Sequence, residues 1–277
     1  MSARFACLLG VLLAAGCTKP SPNPPLAEKD KPTTPGAASP QAAAADPNAA
    51  VAAGLFVKDF LTAVHAGTAT AAQLTPQFKK VVAEPVFDAD KQLGYSDSVA
   101  DNWLKQYRGK LPSFTTSSPG TDGDAAFFTG TVPAEKPVQL AVRLVKSGGG
   151  WIVDWLSVAE VGPVTLPADA APTFAAAAFL AALLAGNDTQ AAGLMALETK
   201  KQLAPPFGGE TRPYSPGILK TKLDGYRGPF TGFTIAKADG NIVTGELTGA
   251  AGKKAFALTL VPGERPFDRL VADVKID

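Results

Sequence analysis

Two stretches decide how this chain is organised: Phe60-Leu61-Thr62-Ala63-Val64-His65-Ala66-Gly67 and Phe179-Leu180-Ala181-Ala182-Leu183-Leu184-Ala185-Gly186, which lie 119 residues apart. The same offset maps Tyr95-Ser96 onto Tyr214-Ser215, Tyr107-Arg108-Gly109 onto Tyr226-Arg227-Gly228, and Phe114-Thr115 onto Phe233-Thr234. Further on the offset falls to 116. It then pairs Leu140, Val142 and Leu144 with Phe256, Leu258 and Leu260, Trp151 with Phe267, and Val158 with Val274. Turns between strands are where copies gain and lose residues. A period of roughly 118 is too long for a solenoid repeat and suits a duplicated domain.

Each copy reads as helices followed by strands. Phe56, Val57, Phe60, Leu61 and Val64 share one helix face, and Gly67 can close that helix in the left-handed conformation. Thr75 can cap a second helix, with Pro76 in its first position and Phe78, Val81 and Val82 facing inward. A third helix begins at Ser96, or at Ser215-Pro216, and stops at Gly109, or at Gly228. The period then changes. Val138, Leu140, Val142 and Leu144 alternate with Gln139, Ala141, Arg143 and Val145, the pattern of a half-buried strand. Ser147-Gly148-Gly149-Gly150 turns the chain into a strand over Trp151 to Val158, and Asp122-Gly123 and Asp239-Gly240 are hairpin signals. Helices first and an antiparallel meander second predict an α+β layer with the sheet wrapped over the helices.

That order, with its Leu-Thr-Pro-Gln-Phe run at residues 74–78 and its Trp-containing last hairpin, resembles the NTF2-like (ketosteroid-isomerase-type) superfamily over Ala52–Glu160 and Thr173–Asp277. The resemblance implies an α+β fold class made of two tandem, self-contained NTF2-like cones, residues 50–160 and 173–277, joined by a linker at 161–172. A cystatin-like or other helix-on-sheet domain accommodates the same order. Enzymes of the superfamily place an Asp or His in a cone-shaped pocket, and other members only bind, so the resemblance leaves activity open.

Residues 1–16 carry Arg4 and then an almost wholly apolar run from Phe5 to Gly16, the pattern of a secretory signal. Twelve helical residues span about 18 Å against roughly 30 Å of hydrocarbon, too short for a stable membrane span. The ending Leu12-Leu13-Ala14-Ala15-Gly16-Cys17 resembles a bacterial lipobox, with Ala14 where Leu is usual and Leu13 one place earlier. The resemblance implies cleavage before Cys17 and lipidation of its thiol. Two or three acyl chains anchor stably where one does not. The residue after the cysteine is Thr18, not Asp, which by resemblance to Gram-negative lipoproteins implies the outer membrane, with the protein facing the periplasm or the surface. Residues 17–49 are mostly Pro, Ala, Ser, Thr and Lys, which cannot bury enough surface to offset ordering entropy, and read as a disordered, lipidated linker.

Lys and Arg number 26 against 25 Asp and Glu, so the basic excess of a nucleic-acid binder is missing. Cys7 leaves with the signal, Cys17 is taken by lipid, and His65 is the one histidine, so no metal site, cofactor or Ser/Cys–His triad is expected. Gly148-Gly149-Gly150 has neither the following helix nor the Lys-Ser/Thr pair of a phosphate loop. His65 aligns with Leu184, and Asp154 with Leu270, so the copies share no catalytic group. Asp154 reads as an exposed or hydrogen-bonded strand residue. The best shared polar feature is Tyr107-Arg108 and Tyr226-Arg227. It is either scaffold, with Tyr packing a helix end on the sheet and Arg meeting terminal carbonyls, or a pocket mouth for an acidic group. These four residues and Asp154 are the candidates for pocket or partner contact, and none is expected to be catalytic. The sum predicts a non-enzymatic envelope lipoprotein, membrane-anchored, whose tandem domains bind a partner protein or small ligand. The alternative is an isomerase- or hydratase-type pocket enzyme in the first domain only.

Overall fold

A computed structural model describes residues 47–82, 96–116, 120–133, 138–160, 170–208 and 212–277. The signal segment, Cys17, the linker up to residue 46, and residues 161–169 of the expected joint lie outside the described residues. The first helix, α1 (Pro47–Ala66), buries Ala53, Val57, Phe60, Leu61 and Val64 at spacings of three and four, and stops where Gly67 takes φ 77°. Residues 48–66 are long and apolar enough to cross a membrane by length and composition alone; the stripe from Ala53 to Val64 lies in the core, while Val51 and Leu55 are exposed. After a 3-10 turn at Ala71–Gln73 comes α2 (Pro76–Val82), whose first turn is capped by Thr75: the Phe78 amide donates to Thr75 Oγ1 at 3.2 Å. Ser96 precedes α3 (Asp97–Lys105), and Gly109 (φ 74°) lets the chain turn away.

Five strands follow: β1 (Thr115–Thr116), β2 (Gly120–Asp122), β3 (Ala125–Val132), β4 (Val138–Ser147) and β5 (Gly150–Glu160). They form an antiparallel sheet in which β3, β4 and β5 run in sequence order, while β1 and β2 both pair with β3. Then come α4 (Ala170–Leu184), α5 (Asp188–Gly193), α6 (Leu197–Leu203) and α7 (Pro216–Arg227). The chain closes with a four-stranded antiparallel sheet of β6 (Phe230–Asp239), β7 (Ile242–Gly249), β8 (Gly252–Pro262) and β9 (Arg269–Ile276).

The duplication is visible in fine detail. A bulge interrupts the β4–β5 register so that Asp154 is the extra residue, and a bulge in β8–β9 leaves Ala272 extra in the same way. The Thr75 amide donates to the Val153 carbonyl at 2.8 Å, and the Ala196 amide donates to the Val271 carbonyl at 2.9 Å. These anchors pair Asp154 with Ala272, two places beyond Leu270, because the β8–β9 loop is longer than the β4–β5 turn.

The expected fold class, two self-contained NTF2-like cones, is overturned by α4. Every side chain from Thr173 to Leu183 is buried, so this helix has no solvent face. It packs on β3, β4 and β5 of the first sheet and on β6, β7 and β9 of the second. A helix that is apolar all round demands cover on all sides, and one sheet supplies only half of it. Phe174 of α4 meets Phe127 of β3 with ring centroids 5.2 Å apart. The half-buried reading of β4 fails for the same reason. Its Gln139-Ala141-Arg143 face is buried like the Leu140-Val142-Leu144 face. The apolar side chains of both halves form one contiguous core, and the described residues belong to one compact unit.

Candidate functional site

Asp154 is the most constrained of the sequence candidates. Its carboxylate has no solvent exposure. Oδ1 accepts from Thr75 Oγ1 (2.8 Å) and Arg265 Nη1 (2.7 Å), and Oδ2 accepts from Arg143 Nε (2.7 Å) and Arg265 Nη2 (2.8 Å). Asp268 completes the cluster, 3.2 Å from Arg143 Nη1 and 2.9 Å from Arg265 Nε. The Phe267 ring lies under both guanidiniums, 4.7 Å from that of Arg265 and 5.7 Å from that of Arg143. Arg265, Phe267 and Asp268 all belong to the β8–β9 loop, so the second half seals a charge planted in the first. Burial pushes the Asp154 carboxyl upward, but hydrogen bonds from Arg265 and the charge of Arg143 outweigh it and hold the group below the usual carboxylate range. A general base must reach a proton on its substrate and profits from a raised pKa. Asp154 is sealed and shifted the other way, so its geometry is that of a tie between the halves.

The Tyr-Arg-Gly pairs sit at two separate helix junctions. Tyr107 is buried edge-on against Trp103 at 5.2 Å, in an aromatic row that continues through Phe78 to Trp155. Burial pushes its phenol up to about 12. The exposed Arg108 lays its stem on Gly67, where a β-carbon would stand 2.8 Å from Arg108 Cδ. The Gly109 amide donates to the His65 carbonyl, and His65 Nδ1 accepts from the Leu111 amide at 3.2 Å, which gives this histidine a loop-fixing contact. In the second half Arg227 Nε donates to the Leu183 carbonyl at the end of α4 (2.6 Å), and its other nitrogens bind Asp188 and Asp224. Tyr226 is only half-buried beside Lys275 and Ile276, unlike Tyr107. Tyr107→Ala should therefore lower the unfolding free energy by about 3–5 kcal/mol, the range for truncating a core aromatic, and Tyr226→Ala by clearly less. Thermal unfolding of the two variants checks the ranking, and equal losses would contradict it.

A groove of about 400 Å³ that draws on both halves lies between α2 of the first half and α5, α6 and α7 of the second, while Tyr226 lines a separate, more open depression of about 610 Å³ with Phe230, Lys254 and Lys275. Gly193 of α5 lets the halves close at the edge of the groove, since a β-carbon there would stand 3.2 Å from Val81 of α2. Val81, Ala192, Leu219 and Leu223 give the groove apolar walls, and Lys80, Lys200, Lys220 and Asp188 give it charge. Burial lowers the pKa of Lys200. Asp154, Tyr107, Arg108, Tyr226 and Arg227 do not line it. Neither copy alone carries a signal for this groove, because it is assembled from both. Among the described residues no cluster of three His, Cys, Asp or Glu side chains could hold a metal ion. Comparison with protein-family models, with curated proteins and with solved structures finds no match for this chain.

Proposed function

We propose that the protein is a non-catalytic binding protein of the bacterial envelope, carried on an acylated Cys17, with its ligand taken in the groove between α2 and α5–α7. The observation that carries the reading is the groove itself: a concave, largely apolar space of about 400 Å³, within the size range of small-molecule sites, with a few charged groups at fixed places. An isomerase- or hydratase-type enzyme in the first half has less support. The carboxylate best placed for such chemistry, Asp154, is closed off by Arg143, Arg265 and Thr75. The anchor rests on the Gly16-Cys17 boundary. Expressed in a bacterial host, the wild type should partition into the detergent phase, and Cys17→Ser should leave a protein that stays in the aqueous phase. Unchanged partitioning of the variant would defeat the anchored reading.

A further inference from the structure

The groove holds a positive charge that no described side chain neutralises. Lys200 leaves α6 with its ammonium turned inward, donating to the Ala192 carbonyl at 3.2 Å and lying 5.2 Å from the centre of the Tyr214 ring. A carbonyl and a ring face stabilise a cation only in part. The carboxylate that lines the groove, Asp188, is already engaged: Oδ2 meets Lys220 at 2.9 Å and Oδ1 meets Arg227 at 2.6 Å. On the α2 side Lys80 stands exposed at the rim. Between these charges the walls are the side chains of Val81, Leu219 and Leu223. Burial disfavours the charged form of Lys200, and a bound negative group would offset that cost.

We propose that this groove binds a small amphiphilic organic anion, its acidic head on the ammonium of Lys200 and its apolar body along Val81, Leu219 and Leu223, with Lys80 adding positive charge at the rim. The proposal rests on the binding role given above and names the ligand class for the same site. A space of about 400 Å³ suits a small molecule. Complementarity fixes the sign, because a cationic ligand would meet like charges and find its one counter-charge occupied.

The test uses the full chain carrying Cys17→Ser, titrated with octanoate, octylamine and acetate and followed by calorimetry and by NMR. Octanoate should saturate and perturb resonances of the groove. Octylamine, with the wrong sign, and acetate, without the apolar body, should each bind at least about ten-fold more weakly. Lys200→Met should weaken octanoate by about ten-fold or more, the scale of one hydrogen bond to a charged group. Lys200→Arg should stay within about three-fold, because it keeps the charge. Lys253→Met, on the remote β8 strand, should change nothing. The proposal is overturned if octanoate fails to saturate, if octylamine binds as well, or if Lys200→Met binds octanoate like the parent. Should Lys200→Met unfold, the Arg variant and the octanoate-to-octylamine ratio of the parent still decide. A failure of octanoate while Cys17 still directs the wild type to detergent strikes the ligand class and leaves the anchored role standing.

Discussion

Replacing Asp154 by asparagine is expected to lower the unfolding free energy by about 3–5 kcal/mol, the cost of removing one member of a buried ion pair. The side chain would keep its shape and one acceptor for Thr75, but Arg143 and Arg265 would lose their shared counter-charge. Arg143 is buried, so water cannot take over. Exposed pairs give the contrast: Lys253 and Glu246 are 2.7 Å apart yet largely solvated, and Glu246→Gln should cost about 0–1 kcal/mol. Urea unfolding followed by tryptophan fluorescence reads both, with Trp155 one residue from the substitution. Acid supplies a second check. The folded-state pKa of Asp154 lies below its unfolded value, so its contribution is complete above the ordinary carboxylate range and is lost as pH falls through the folded value. Wild-type stability should therefore decline below about pH 4, and the asparagine variant should decline with a shallower slope. A variant as stable as the wild type, with an unchanged acid slope, would show that the cluster does not hold the halves together.

The second large effect concerns α4. Phe174→Ala should cost about 3–5 kcal/mol and shift one cooperative transition of the whole chain, because its ring belongs to a core that both sheets share. More severe is division of the chain. A fragment ending at residue 160 keeps α1 and its sheet but leaves Phe127, Ala141 and Arg143 without α4 and the β8–β9 loop. It should bind hydrophobic dyes and lack a native near-ultraviolet dichroism, the marks of lost tertiary packing. Co-expression with residues 161–277 should restore both signals. A fragment with native dichroism and dispersed NMR resonances would show the first half to be self-sufficient and the shared helix to be incidental.

Local structure was legible wherever a residue acts on its own neighbours. The spacing of Phe60, Leu61 and Val64, the Thr75-Pro76 start, the stops at Gly67 and Gly228 and the Asp-Gly hairpins all operate within a few residues, whereas α3 ends at Lys105, four residues before the expected Gly109. What escaped depends on distance or on a break in periodicity. Simple alternation places Val153 and Leu156 on opposite faces of β5. The bulge at Asp154 puts both on the same face, opposite Leu144 and Val142, and nothing at this position marks a bulge in the sequence. The pairing of Asp154 with Arg265 joins residues 111 apart through a loop that the first copy lacks. The clue to the shared core was present in the composition of α4, whose Ala170–Leu184 run has no charge, while α1 carries Lys58 and Asp59. The likeness of the two stretches masks that difference. Lys200 lies beside Lys201 on a short helix, and only their partners in the folded chain distinguish the two: Lys201 pairs with Glu198, while Lys200 reaches the Ala192 carbonyl in the groove.

The long reach of the β8–β9 loop also sets an order in time. Arg143 and Asp154 are eleven residues apart and can pair as soon as their hairpin forms, but Arg265 is made 111 residues after Asp154. Until that distant arginine is in place, the first sheet stands with its arginine face wet and its apolar neighbours uncovered. A chain broken off before Arg265 never leaves that state. The protein thus carries a test of its own completeness: a truncated product, even one that holds every helix and most strands, remains open to proteases that a finished molecule resists.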